Sequence, residues 1–506
     1  MKKKNSENFD FFMDKFYKVK PDTPEALDKD AIKNKILSQE KAEIVRLPRK
    51  KHFKAIANIA ACFVLIFSIC IAAYPKIQKP ASDGSFDNVS EQILTFSSYD
   101  EIHAVVKEMK ENFVGSPAPL FGYGSDGSMS LPSYSETYKQ EEAVDEADII
   151  KTDGKYIYYK HTETIDPGYE YSYKRKDLVD IYRAKNGKTE LVSQIDSSVL
   201  AYDDNHSTGI DDMFLYKNHL VVRMWYYSSQ GKLMQAIRVY NVSSPKHPKL
   251  ISDFRQSGFG ESRMIGNIVY TVTDCRIFSD DPDGGIPLCG YGEYLDYVPL
   301  NDICYLKNAQ NLDFIVISAI DVVTGKKAAA TKAVLGCSSD IYCNENNMYL
   351  TSNKVETNFY EIDFSDESDI ENLYYKTAVD IIKVELNSNE IRFVASGSVN
   401  GYVLNQFSMD EKDGYFRIAT TNYDTFGNET SAVYVLDENM NLVGKTDDFA
   451  KGESIKAVRY NGDIAQVITY EETDPLFVID LSNPEKPIIK GSLEIDGFSG
   501  LLVPVN

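Results

Sequence analysis

The sequence predicts an all-β protein: a β-propeller of four-stranded blades, with an N-terminal transmembrane helix and short helical segments ahead of it. Three observations lead there. From Val144 onward, apolar runs meet at tight turns that carry Asn or Gly, which is the chemistry of hairpins whose turn residues take positive φ. These hairpins fall into two alternating kinds, so six four-stranded units follow one another, with a partial seventh at the end. Two units 239 residues apart also align without a slip: "NVSSPKHPKL" from Asn241 lies on "DLSNPEKPII" from Asp480, with Pro245 on Pro484, Pro248 on Pro487 and Gly258-Phe259 on Gly497-Phe498.

The first element is a tail, residues 1–54, with fifteen Lys and Arg against nine Asp and Glu, a net +6 that leaves −28 for the remainder of a chain of −22 overall. Within it "LDKDAIKNKILSQEKAEIV" reads as one short helix, with Asp28 as cap and Ile32, Ile36 and Leu37 on one face. Next comes "AIANIAACFVLIFSICIAAY", residues 55–74, uncharged and long enough to span roughly 30 Å of hydrocarbon. Arg46, Arg49, Lys50, Lys51 and Lys54 precede it and only Lys76 and Lys79 follow closely, so the positive-inside rule places the tail in the cytoplasm and residues 75–506 outside. A cleaved signal peptide is the competing reading, but the tail is far too long for an n-region. Lipid attachment at Cys70 would need a small residue where Ile69 stands.

Residues 75–135 hold a second helix and a linker. "SSYDEIHAVVKEMKENF" from Ser97 sets Ile102, Val105, Val106 and Met109 at helical spacing. The Gly/Ser/Pro-rich stretch after it contains Gly122, Gly124 and Gly127 as G-x-G-x-x-G, with neither the strand before nor the helix after that a phosphate-binding turn needs.

The propeller is assigned to residues 136–506. Its first hairpins turn at Asp153-Gly154, Asn218, Gly266-Asn267, Asn346-Asn347, Asp413-Gly414 and Asn461-Gly462, and a second hairpin follows each. An all-β sandwich competes, but it does not require this strict pairing of hairpin kinds. The alignment of the two distant units places Asn506 inside a blade, so the propeller is expected either to lack part of a seventh blade or to close its gap with another segment, such as the one beginning near Val144. Five cysteines lie beyond the apolar span, Cys275, Cys289, Cys304, Cys337 and Cys343. Their spacing fits no zinc pattern, and two disulfides with one thiol left over stand beside no disulfides at all.

Three phrases resemble a known family, the bacterial secreted or membrane-anchored proteins with a C-terminal β-propeller distantly related to WD-40 repeats. They are "QEEAVDEADIIKTDGKYIY", "GSVNGYVLNQFSMDEKDGYFRIATT" and "TDPLFVIDLSNPEKPIIKGSLEIDGFSG". The resemblance covers roughly residues 95–506 and implies the fold, a place outside the membrane and no settled activity. Tyr138 and Ala143 stand where the family has Asn and Gly, and its members continue past the counterpart of Asn506.

No catalytic constellation is visible. The six histidines lie outside helical metal-site spacing, and neither H-E-x-x-H nor G-x-S-x-G occurs. The acidic balance excludes a nucleic-acid surface, which needs cations. Calcium is the one cofactor to weigh. Asp437, Asn439, Asn441 and Asp448 sit at loop positions 1, 3, 5 and 12, but Leu442 stands where the loop demands Gly. Asp280, Asp281 and Asp283 form an incomplete set. The acidic stretch Glu141, Glu142, Asp145, Glu146 and Asp148 either lines the axial mouth, holding a cation or ligand, or supplies polar partners to the first blade. The function expected is a membrane-anchored, extracytoplasmic, non-catalytic binding module for a protein or glycan. A transmembrane sensor whose tail engages a regulator, and an exterior hydrolase using the axial pocket, are the alternatives.

Overall fold

In the computed structural model the chain separates into two units, Met1–Gly84 and Ser85–Asn506. The structure describes residues 93–112, 139–165, 174–201, 208–277, 285–307, 311–337, 340–357, 375–387, 390–423, 428–470, 474–495 and 502, all in the second unit. The tail helix, the 55–74 span, the glycine-rich linker, Asp280–Asp283 and the residues around Phe498 lie outside them. Among the described residues no helix is long and apolar enough to cross a membrane.

Among the described residues six sheets follow one another, and the predicted hairpin pairs are their antiparallel four-strand meanders. The first sheet runs through Ile150–Thr152, Tyr156–Ile165, Lys174–Lys185 and Lys188–Asp196. The second begins at Thr208–Tyr216, the third at Phe259–Ile265, the fourth at Asp340–Cys343, the fifth at Met409–Lys412 and the sixth at Ser454–Asn461. All six predicted first turns are where the register places them. Gly154, Gly266, Gly414 and Gly462 have positive φ there, and Lys217 and Asp413 share that conformation.

Neighbouring sheets are joined face to face by apolar side chains. Ile181 and Tyr158 of the first pack with Met213 and Val222 of the second, and Phe214 and Val239 of the second pack with Met264 and Val269 of the third. Ile315 and Ile317 meet Ile341 and Leu350 of the fourth, Tyr349 and Ile381 meet Phe416 and Tyr434 of the fifth, and Val433 meets Val467 and Ile479 of the sixth. Each fully buried Val, Ile or Leu contributes about 1.5–3 kcal/mol, so these interfaces, repeated five times, carry the fold. No apolar cluster joins the sixth sheet to the first among the described residues.

Two sheets are larger than the repeat predicts. A long connection between the second and third strands of the third sheet places the hairpin Leu288–Tyr291/Tyr294–Tyr297 on the outer edge of the second sheet. It also lays Ile303–Leu306 parallel to Lys332–Leu335, and Ile93–Thr95 pairs with it in turn. Helix α1, Tyr99–Asn112, covers this region. Ser98 Oγ accepts the Glu101 N–H at 3.1 Å, Glu101 Oε2 accepts the Ser97 N–H, and Ile102 and Val106 are buried beside Phe254 and Phe314.

None of the five cysteines forms a disulfide, and four of them are buried. The two-disulfide alternative is thereby set aside: these side chains serve as small apolar fillers. Among the described residues the segment near Val144 does not pair with the last sheet. Val144–Glu146 runs antiparallel to Arg263–Ile265 of the third.

Candidate functional site

That pairing identifies the inner edges of the sheets. Residues 139–148, the acidic stretch, reach the first strands, or the residues leading into them, of four successive sheets. Asp148 exchanges two backbone hydrogen bonds with Met213 of the second sheet, at 3.1 and 3.0 Å. Val144–Glu146 adds a short strand to the third, with Val144 buried. Tyr342 of the fourth donates its hydroxyl to Glu141 Oε1 at 2.8 Å. Gln140 Nε2 donates to the carbonyls of Gln406 and Met409 at the start of the fifth, at 3.1 and 2.9 Å. A segment of ten residues therefore ties together sheets far apart in sequence.

Its carboxylates take up protein partners. Lys151 Nζ donates to Asp145 Oδ1 at 3.3 Å and to the Glu146 carbonyl at 2.8 Å, and Lys139 lies 3.7 Å from Asp145. Burial pushes the Glu146 carboxyl above its ordinary pKa against the pull of Arg263. Burial does the same to Glu141, opposed by the Tyr342 hydroxyl and assisted by Asp410 and Glu411. Glu142 is exposed.

Two ionic clamps extend the same inner edge. Arg223, buried on the second strand of the second sheet, bonds Asp211 and Asp212 of the first strand and the Gly260 carbonyl of the third sheet. Arg417 repeats this in the fifth sheet, with Asp410 Oδ2 at 2.7 Å from Nε and the Gly462 carbonyl of the sixth sheet at 2.8 Å from Nη1. Each guanidinium has carboxylate partners, two for Arg223 and one for Arg417, and each arginine also fastens its sheet to the next. Nothing in the sequence marks these arginines, because their partners are set by cross-strand register.

The metal candidates do not converge. Asp145 faces lysines, the Asp148 carboxylate accepts its neighbour's N–H from Ile149 at 2.7 Å, and Glu146 faces Arg263. The Asp437 carboxylate is filled by the N–H groups of Asn439 and Asn441 at 2.9 and 2.8 Å and by Asn441 Nδ2 at 3.1 Å. Asp448 pairs with Lys445 at 2.7 Å. No group of three or more His, Cys, Asp or Glu able to hold one metal ion occurs among the described residues. A His–Asp pair is present in the first sheet, His161 Nδ1 3.4 Å from Asp180 Oδ2, and the other partners of Asp180 are Gln194 and Tyr182, neither of them a nucleophile for acyl transfer.

A second surface lies away from the inner edge. Tyr294 is 89% exposed at the tip of the added hairpin, directly across from Tyr291, while Tyr297 lies 6.3 Å from Tyr99 of α1. Glu293 and Asp296 are exposed between them.

The family model described as "Beta propeller domain" matches residues 134–506. An uncharacterised protein of Methanocaldococcus jannaschii is 28% identical over 538 residues, covering 89% of this chain and 78% of that protein. An uncharacterised protein of Archaeoglobus fulgidus is 29% identical over 430 residues, covering 73% of this chain and 65% of that protein's length. Among solved structures, a Synechocystis apocarotenoid oxygenase mutant matches at 12% identity and a TM-score of 0.26, covering 63% of this chain and 70% of its own. Kluyveromyces lactis Hsv2p matches at 12% and 0.19, covering 54% and 75%. Structural likeness at that level carries no argument about activity.

Proposed function

From the premise that the chain belongs to the beta propeller domain family, we propose that it is a binding module without catalysis, held at the membrane by the 55–74 helix and displaying its sheets outside the cell to a protein or glycan. The observation that carries this reading is the tyrosine surface of the added hairpin. Large amphipathic rings held on a short, packed hairpin give contact area at little cost in side-chain entropy, which suits the recognition of sugar faces and of protein surfaces. Tyr291 is anchored edge-on against buried Phe254 at 5.4 Å, so the hairpin has a fixed base. The inner-edge charges, by contrast, have partners within the chain.

The test uses the full-length protein in native membranes. Protease added to intact cells is expected to remove the sheets and spare the tail, which checks the orientation. Capture on glycan arrays and by crosslinking to envelope proteins is expected to yield a ligand whose binding falls about tenfold or more in the Tyr294→Ala/Tyr297→Ala double variant. Binding that is unaffected by the double variant removes this surface from the reading, and turnover of any captured glycan or peptide removes the claim of a non-catalytic module.

A further inference from the structure

A ten-residue strap across the inner edges is also a statement about what those edges accept. The first strand of a sheet is an edge strand, and its outward backbone groups form a template for another extended segment. On the third sheet that template is used over three residues, Arg263–Ile265, whereas the same strand pairs over seven residues with its hairpin partner. The strap has one fully buried apolar side chain, Val144, and one half-buried one, Ala147, packed against the cluster of Phe214 and Met264; its side-chain hydrogen bonds and ion pairs are polar contacts near the surface. A segment so held opens at lower free energy than the strands beneath it. The groups that receive it belong to the sheets: the Tyr342 hydroxyl, the Lys151 ammonium and the open backbone of the third sheet. Their complement is an extended chain rich in carboxylates, which describes the strap itself, with five acidic residues and one lysine in positions 139–148.

We propose that the inner edge of the third sheet, flanked by Tyr342 and Lys151, is an acceptor groove for an extended acidic segment. It is filled in cis by residues 139–148 and available in trans to an acidic peptide of a partner when the strap lifts. Strand addition supplies register through the backbone, and Tyr342 and Lys151 read the carboxylates on either side of it. This site is separate from the tyrosine surface, and the two readings stand or fall independently.

The experiment uses the full chain and a fluorescein-labelled synthetic peptide with the sequence of residues 139–148. Fluorescence anisotropy is expected to show binding at least about tenfold tighter to a Val144→Ser/Glu141→Gln variant, whose own strap is weakened, than to the unaltered protein. Adding Tyr342→Phe, or replacing the peptide's acidic residues by their amides, is expected to remove the gain. Equal binding to both proteins, or a gain that survives both changes, overturns the proposal. Should the weakened variant not fold, hydrogen exchange on the unaltered protein decides. Amides of Val144–Glu146 exchanging much faster than those of Val269 and Ile317 support an exchangeable strap, and equal protection makes it a permanent part of the sheet and overturns the idea. The Tyr294→Ala/Tyr297→Ala variant, whose peptide binding is expected to be unchanged, separates this failure from that of the tyrosine surface.

Discussion

Single residues decide how tightly one sheet holds the next. Arg417 is buried, pairs with the half-buried Asp410 and reaches across to the Gly462 carbonyl. Removing the cation by Arg417→Met strands a carboxylate in a site that burial already disfavours, and is expected to cost about 3–5 kcal/mol in urea unfolding. The Arg417→Met/Asp410→Leu pair is expected to recover most of that loss; a double variant as unstable as the single one would contradict the clamp. Asp340, first residue of the fourth sheet, is pushed up to about 6 by burial, with Glu261 and Asp274 adding like charge. Its native form binds the proton more tightly than its unfolded form does. Stability is therefore lost as pH rises from about 4 through about 6, and the deficit persists above that. Asp340→Asn is expected to raise the unfolding free energy above pH 6 by on the order of 1–3 kcal/mol, and to leave it nearly unchanged at the lowest pH. A pH profile parallel to that of the unaltered chain would reject this assignment. None of these groups stood out in the sequence, since burial and cross-strand neighbours give them their properties.

At the scale of elements, the repeat is a device for joining sheets. The aligned turns at Asn241 and Asp480 have the same internal bonds: Asn241 Oδ1 accepts the Ser243 N–H and Asp480 Oδ1 the Ser482 N–H, each at 2.9 Å. Both turns also touch the outer strand of the preceding sheet. Ser193 Oγ donates to the Pro245 carbonyl at 2.5 Å, and Gly444 lies where a Cβ would come within 2.1 Å of the Pro484 carbonyl. The slip-free alignment thus reflects two equivalent sheet junctions. Gly444→Ala forces the outer strand of the fifth sheet off that turn and is expected to cost about 1–3 kcal/mol, measured by thermal unfolding. Gly154→Ala places its Cβ in open space, so any cost there comes from its positive φ alone and is expected to be smaller. Hairpin turns, sheet boundaries and helix α1 were legible because turn chemistry and periodicity are local. The added hairpin Leu288–Tyr291/Tyr294–Tyr297 was not, because its strands are short and pair with a different sheet.

For the whole molecule, the cysteines test what holds it together. Burial pushes the Cys304 and Cys343 thiols up to about 12 and holds Cys337 well above its ordinary value, so they are protonated and unreactive in the folded state. A fragment from residue 75 onward is expected to release five titratable thiols on denaturation and none of Cys304, Cys337 or Cys343 before it; a mass change on reduction would contradict five free thiols. Stability then rests on the apolar interfaces between sheets and on the clamps and strap at their inner edges. The sequence by itself determined the order of the six described sheets, their first turns and the helix beside them, because each depends on residues close together in the chain. The acidic stretch it left open, as a mouth for a ligand or a set of polar partners for the first blade. Only the tertiary structure decided that this stretch crosses the second to fifth sheets, because its partners, from Met213 to Met409, are brought to one edge by folding and by no pattern along the chain.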